Sequence, residues 1–226
     1  MKRSVFSLLR QGRRRLCGLG LGVLLSLLPL TASAKSLVDF SPALLSRVEA
    51  KFGTQAVLRL NALKKLIETN QNMTEMEKVK EVNDFFNLVP YYTDIVHWKV
   101  EDYWATPFEK LTTFGGDCED YAIAKYFSLI ELGIPDDRMR IMYVKALNWN
   151  QAHMVLTYFP QPRSIPLVLD NLNPEILPAN KRKDLVPVYS FNGDGLWLAK
   201  ERGTGKRVGS SGKLGLWTDL RRRVEQ

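Results

Sequence analysis

One cysteine, two histidines and a short run of acids hold most of the chemistry this sequence offers. Cys118 stands in Gly115-Gly116-Asp117-Cys118-Glu119-Asp120-Tyr121, a glycine turn feeding a predicted helix that begins at or near the cysteine. Paired glycines let the backbone enter tightly from an irregular segment. Acids in a first turn suit the positive end of a helix, and the same end favours thiolate over thiol. Apolar residues from Tyr121 to Leu132 cover most of the helix circumference, so the helix is predicted to be central and buried, with Gly133 and Pro135 as its stop. The pattern puts a nucleophile at the start of a buried helix.

A thiol nucleophile needs a base, and the base needs an acceptor to orient it. His153 falls in a predicted strand, Ala152 to Phe159, followed by the turn Pro160 to Arg163 and a second strand, Ile165 to Asp170. Antiparallel pairing across that turn sets Phe159 opposite Ser164 and His153 opposite Asp170. Directly opposed residues have Cβ atoms about 4.5–5.5 Å apart, so the carboxylate could accept one imidazole N–H and leave the other nitrogen for Cys118. The second histidine, His97, lies in an irregular aromatic segment, Tyr91 to Phe114, that could line a peptide groove or simply pack the loop onto the core.

Asp117, Glu119 and Asp120 flank the thiol, and three carboxylates there disfavour the thiolate. Two readings stay open on the residues alone: compensation of the helix dipole, or a bound calcium ion, which takes carboxylate and carbonyl oxygens. The oxyanion hole should include the Cys118 N–H, with Trp98 or Trp104 as a candidate second donor.

The elements that must position these residues follow the chain order. Residues 1–34 read as a secretory signal peptide: six Lys and Arg without an acid up to Arg15, an apolar run from Leu16 to Leu30, and Ala32-Ser33-Ala34 as the cleavage pattern. The apolar run is short for a membrane span, so no stable membrane insertion is expected of the mature chain. Removing the leader leaves 26 Lys and Arg against 24 Asp and Glu, so the net charge falls from +8 to +2 and gives no support to nucleic-acid binding. It also removes Cys17 and leaves Cys118 alone, where exported domains ordinarily pair their cysteines. Three helices are predicted next: from Pro42 behind the N-cap Ser41 to about Lys51, from Thr54 or Gln55 to Thr69, and from the capping box Thr74 to Glu77 to about Leu88. After the cysteine helix come strands at Met139–Leu147, Ala152–Phe159, Ile165–Asp170, Val186–Phe191 and Leu196–Leu198. Helices first and an antiparallel sheet after them read as α+β, with one domain over 35–202. Residues 203–226 read as a flexible Gly/Ser-rich linker and a basic tail, with a short helix from Leu214 and a solvated Arg221-Arg222-Arg223.

Gly-Gly-Asp-Cys-Glu-Asp, Ala152-His153-Met154-Val155-Leu156 and Val168-Leu169-Asp170-Asn171 together resemble the bacterial transglutaminase-like cysteine proteases. The likeness runs from about Phe52 to Phe191 and includes Trp104-Ala105-Thr106-Pro107-Phe108-Glu109 ahead of the cysteine. It implies a papain-like core and a triad of Cys118 as nucleophile, His153 as base and acid, and Asp170 as orienter. It also implies calcium (Ca2+), with Asp117 and Glu119 as matching ligands and Asp120 added to them. The implied substrate is a large surface adhesin, cut at a paired-alanine site near its N-terminus to disperse a biofilm. The implied inhibitory partner is an inner-membrane receptor for cyclic di-GMP, and the implied location is the periplasm. The rivals are an acyltransferase on the same core and a non-catalytic calcium-binding adaptor for a membrane receptor.

Overall fold

The computed structural model describes residues 36–199 and 205–225, and the segment predicted as a signal peptide lies outside them. Local signals set the first helices. Helix α1 (Pro42–Phe52) starts where the Ser41 side chain accepts the Leu44 N–H at 3.2 Å, and it ends at Gly53 with φ 81°. Helix α2 (Thr54–Asn70) follows at once. Helix α3 (Glu75–Asn87) opens on a reciprocal capping box, with Thr74 and Glu77 each bonding the other's backbone N–H.

The aromatic segment carries two short helices that were not anticipated, α4 (Asp94–His97) and α5 (Pro107–Thr113). The signal for α5 was present: Thr106 caps it, Pro107 is its first residue, and Glu109 closes a second capping box. Helix α6 (Cys118–Glu131) begins on the cysteine, as expected. It packs against α3 and α5 and across strands β2 and β1, so the helix that begins on Cys118 is the centre of the core.

Among the described residues seven strands form one antiparallel sheet in the order β4-β3-β2-β1-β5-β6-β7. They are β1 (Met139–Ala146), β2 (Gln151–Tyr158), β3 (Leu167–Leu169), β4 (Leu177–Pro178), β5 (Leu185–Phe191), β6 (Gly195–Leu198) and β7 (Lys206–Ser210). The α+β assignment therefore stands. The register across the Pro160–Arg163 turn does not: Tyr158 pairs with Leu167 and Leu156 with Leu169, two residues away from the expected match. The connection uses more residues than the Pro-x-Pro turn alone. Because the side-chain period is two, that shift keeps His153 and Asp170 on one side, now as diagonal neighbours.

The tail also departs from expectation. Residues 206–210 are not a free linker but the strand β7, paired with β6. Helix α7 (Gly215–Val224) docks on the core through Trp217, which meets Phe191, Tyr126 and Phe127 at centroid distances of 5.1, 5.6 and 5.7 Å. Among the described residues, folded structure continues through β7 and α7, beyond the 202 boundary read from the Gly/Ser content. Arg221 and Arg223 are not simply solvated: Arg221 Nη1 donates to Gly193 O at 2.8 Å, and Arg223 Nη2 to Trp104 O at 2.6 Å. Trp217 is 1 % exposed, so Trp217→Ala should lower the unfolding free energy by about 3–5 kcal/mol, read from urea melts followed by far-UV circular dichroism. A tail that packs loosely would show no such loss.

Candidate active site

The turn before Cys118 is shaped by contacts that only glycine allows. Gly116 has φ 143°, and a Cβ there would lie 2.2 Å from Asp120 Oδ2. The Gly116 carbonyl accepts the Tyr92 N–H at 3.0 Å, which fastens the aromatic segment beside the cysteine. Asp117 occupies the N-cap without a side-chain capping bond.

Sheet β2–β3 pairing stops at Leu156 and Leu169, which leaves the first half of β2 without a neighbour on that side. Cys118 and His153 consequently line one cleft of about 480 Å³, together with Tyr91, Trp104, Tyr143 and Gln151. His153 Nε2 lies 2.8 Å from Asp170 Oδ1, and both side chains are buried. That contact commits one imidazole nitrogen to the carboxylate and leaves Nδ1 free of it, while the thiol's own side-chain hydrogen bond goes to Glu119 Oε2 at 3.0 Å. Asp170 Oδ1 also accepts the Leu172 N–H at 3.0 Å, and Oδ2 accepts Arg182 Nη2 at 2.7 Å.

Burial works to raise the Asp170 pKa, but the His153 and Arg182 bonds overcome it and bring it to about 2. The sign is that of a depressed carboxylate: its contribution to stability is complete above the ordinary value of 3.8 and is lost as pH falls towards about 2. Urea melts between pH 5 and 2 should therefore show a steep loss of stability that is shallower in Asp170→Asn. Equal slopes would mean that the ion pair is not formed in solution.

Around the thiol the electrostatics run the other way. Burial, then the Glu119 carboxylate 3.0 Å from the sulfur, push the Cys118 thiol well above its ordinary value. The three sequence-predicted acids lie in overlapping groups: Asp117 and Asp120 with Asp94, and Glu119 with Asp94 and Asp102. Within each group, single carboxylate oxygens fall within 4.8 Å of one another. Asp94 and Asp102 were missed by sequence reading, since nothing in the aromatic segment marks them apart from other loop acids. Burial and mutual repulsion raise Asp94 to about 6 and Asp117 to about 10. Asp120 is also raised, by burial, despite the opposing charge of Lys110. One oxygen each of Asp94, Asp117 and Asp120 is buried without a partner. Buried, unpaired carboxylate oxygens converging on one place suit a hard divalent cation, and all-oxygen donors suit calcium.

The remaining candidates separate. His97 is held elsewhere, 2.8 Å from Thr113 Oγ1 and stacked on Tyr92. Trp104 lines the cleft, and the Trp98 indole N–H is buried without a partner.

The family of bacterial transglutaminase-like cysteine proteinases matches residues 58–197, a span that carries the cysteine, the histidine and the aspartate. The chain belongs to this family. Among solved structures it is similar to Legionella pneumophila LapG, at 42% identity and a TM-score of 0.70, covering 80% of this chain and 95% of that one. EGTA-treated LapG from the same organism gives 42% identity and a TM-score of 0.70, covering 80% of this chain and 97% of that one. Calcium-bound LapG gives 43% identity and 0.69, covering 79% and 96%. No curated protein matches the chain. Among the described residues, no helix is long and apolar enough to cross a membrane.

Proposed function

We propose that this family member is a calcium-dependent periplasmic cysteine endopeptidase. On this reading it cuts the N-terminal region of a large surface adhesin at a paired-alanine site and so releases the adhesin from a biofilm. The observation that carries the reading is the Cys118 thiol at the start of α6, lining one cleft with His153, whose imidazole is paired with the buried Asp170.

His153 Nδ1 takes the Cys118 proton as the sulfur attacks the peptide carbonyl. The Cys118 N–H, at the start of α6, donates to the oxyanion that develops. The imidazolium, steadied by Asp170, then gives its proton to the departing amine, leaving a thioester on Cys118. Water, deprotonated by the same nitrogen, releases the acid and restores the thiol.

Calcium, when bound, supplies positive charge that offsets the carboxylates beside the thiol. Asp94, Asp102, Asp117, Glu119 and Asp120 are the residues that would hold it. The calcium-bound and EGTA-treated forms of the similar LapG support this assignment. The signal-peptide pattern of residues 1–34 supports the periplasm, and an inner-membrane cyclic di-GMP receptor is the proposed inhibitory partner.

The test is incubation with a peptide built around an alanine pair, with and without calcium, and product masses read by mass spectrometry. Cleavage between the alanines with addition of one water is the expected result. An amine adduct would make the protein an acyltransferase, and no turnover in calcium would remove the peptidase reading.

A further inference from the structure

Arg182 has no part in the steps above, yet it is 5 % exposed and bound to the orienting carboxylate. It follows β4 and a short 3-10 turn (Ala179–Lys181). Its Nη2 donates to Asp170 Oδ2 at 2.7 Å, the oxygen that His153 does not use. A second carboxylate holds the guanidinium in turn: Asp184 Oδ1 accepts from Nε at 3.0 Å and Oδ2 from Nη2 at 2.7 Å. The Asp184 backbone carbonyl accepts the Leu147 N–H at 2.8 Å, which fastens this unit to the hairpin between β1 and β2, just ahead of His153. From the other side Asn87 Nδ2 donates to the Asp170 carbonyl at 3.0 Å.

An aspartate bonded through one oxygen can tilt about its last side-chain torsion, which is broad. Bonds to both oxygens, from donors on separate segments, remove that freedom. A planar guanidinium also bridges two carboxylates in fixed geometry, which an ammonium cannot copy.

We propose that Arg182 is a positioning residue for the hydrolysis: it locks the Asp170 carboxylate so that Oδ1 faces His153 Nε2, and through it aims the imidazole at Cys118. The proposal rests on the assignment of Asp170 as orienter. Arg182 touches neither the thiol nor the substrate; it acts through Asp170 alone.

A double-mutant cycle on the mature protein, with calcium and the alanine-pair peptide, tests this. Arg182→Gln should lower kcat about tenfold with KM unchanged, a coupling typical of residues in one buried network. Arg182→Lys should regain melting temperature without regaining kcat. In the Asp170→Ala background Arg182→Gln should cost nothing further. If Arg182→Gln fails to fold, Asp184→Asn is read the same way: it keeps the guanidinium, frees its other anchor, and should lower kcat only while Asp170 is present.

An equal fractional loss in the Asp170→Ala background overturns the proposal, as does full recovery of kcat by lysine. A rise in KM at constant kcat also overturns it, because Arg182 would then touch substrate from the neighbouring groove beside Trp149 and Asn173. Failure of the orienter assignment reads differently: Asp170→Ala alone would then keep wild-type kcat.

Discussion

Cys118→Ala should abolish peptide hydrolysis, by roughly 10⁴–10⁶-fold in kcat, while the protein still folds. No other group in the cleft can form the acyl intermediate, because Cys118 is the only free cysteine among the described residues and the flanking acids are weak nucleophiles beside a thiolate. Substitution by alanine removes only a half-buried sulfur, so melting temperature and any calcium response should survive. Loss of activity with the fold kept would separate chemistry from collapse. The non-catalytic adaptor makes the opposite forecast: a Cys118→Ala protein would complement a deletion strain as well as the wild type. His153→Ala should fall into the same range, since on the proposed mechanism the imidazole both takes the Cys118 proton and gives one to the leaving amine, whereas the Glu119 carboxylate beside the thiol raises its pKa.

Removing calcium should be nearly as severe. With EGTA, cleavage of the alanine-pair peptide should drop to background and the melting temperature should fall, and both should return with excess calcium. The cause is the packing of Asp94, Asp117 and Asp120, each with an oxygen that has no protein partner. The sign of the pH dependence follows from raised carboxylate pKa values. Without the ion, these acids cost least when protonated, so the chelated protein should lose stability as pH rises from the ordinary range of about 4 through about 6, where Asp94 ionises. With calcium bound the carboxylates are held ionised, so the slope should flatten and calcium should bind more tightly as protons leave. Asp94→Ala should weaken this response although Asp94 lies 24 residues before the thiol in sequence. Full activity in chelator would sink the calcium assignment.

Much of this was legible because it is local. The Ser41 and Thr74 caps, the stop at Gly133 and the start of α6 on Cys118 each depend on residues a few positions apart, and all appear where expected. Strand β3 shows the limit: its alternation was readable, but its register depended on how many residues the connection after Tyr158 would use. The two-residue error left the candidate pair intact only because a shift of two preserves the face. Strand β7 was hidden by its Gly and Ser content, since pairing to β6 supplies an order that local composition does not. Asp94, Asp102 and Arg182 could not be found from the sequence at all. Their roles come from convergence: a loop acid, another loop acid and a post-strand arginine become distinctive only when the fold brings them to the thiol or to Asp170.

The docking of α7 has a consequence for the timing of activity. Leu214, Gly215 and Leu216 form part of the cleft wall, and Arg223 reaches back to Trp104 and Glu109. A chain crossing a membrane from its N-terminus delivers Cys118, His153 and Asp170 long before these closing pieces arrive. If the chain is exported as proposed, its cleft stays unfinished while it is threaded through the channel, and the complete groove forms only on the far side.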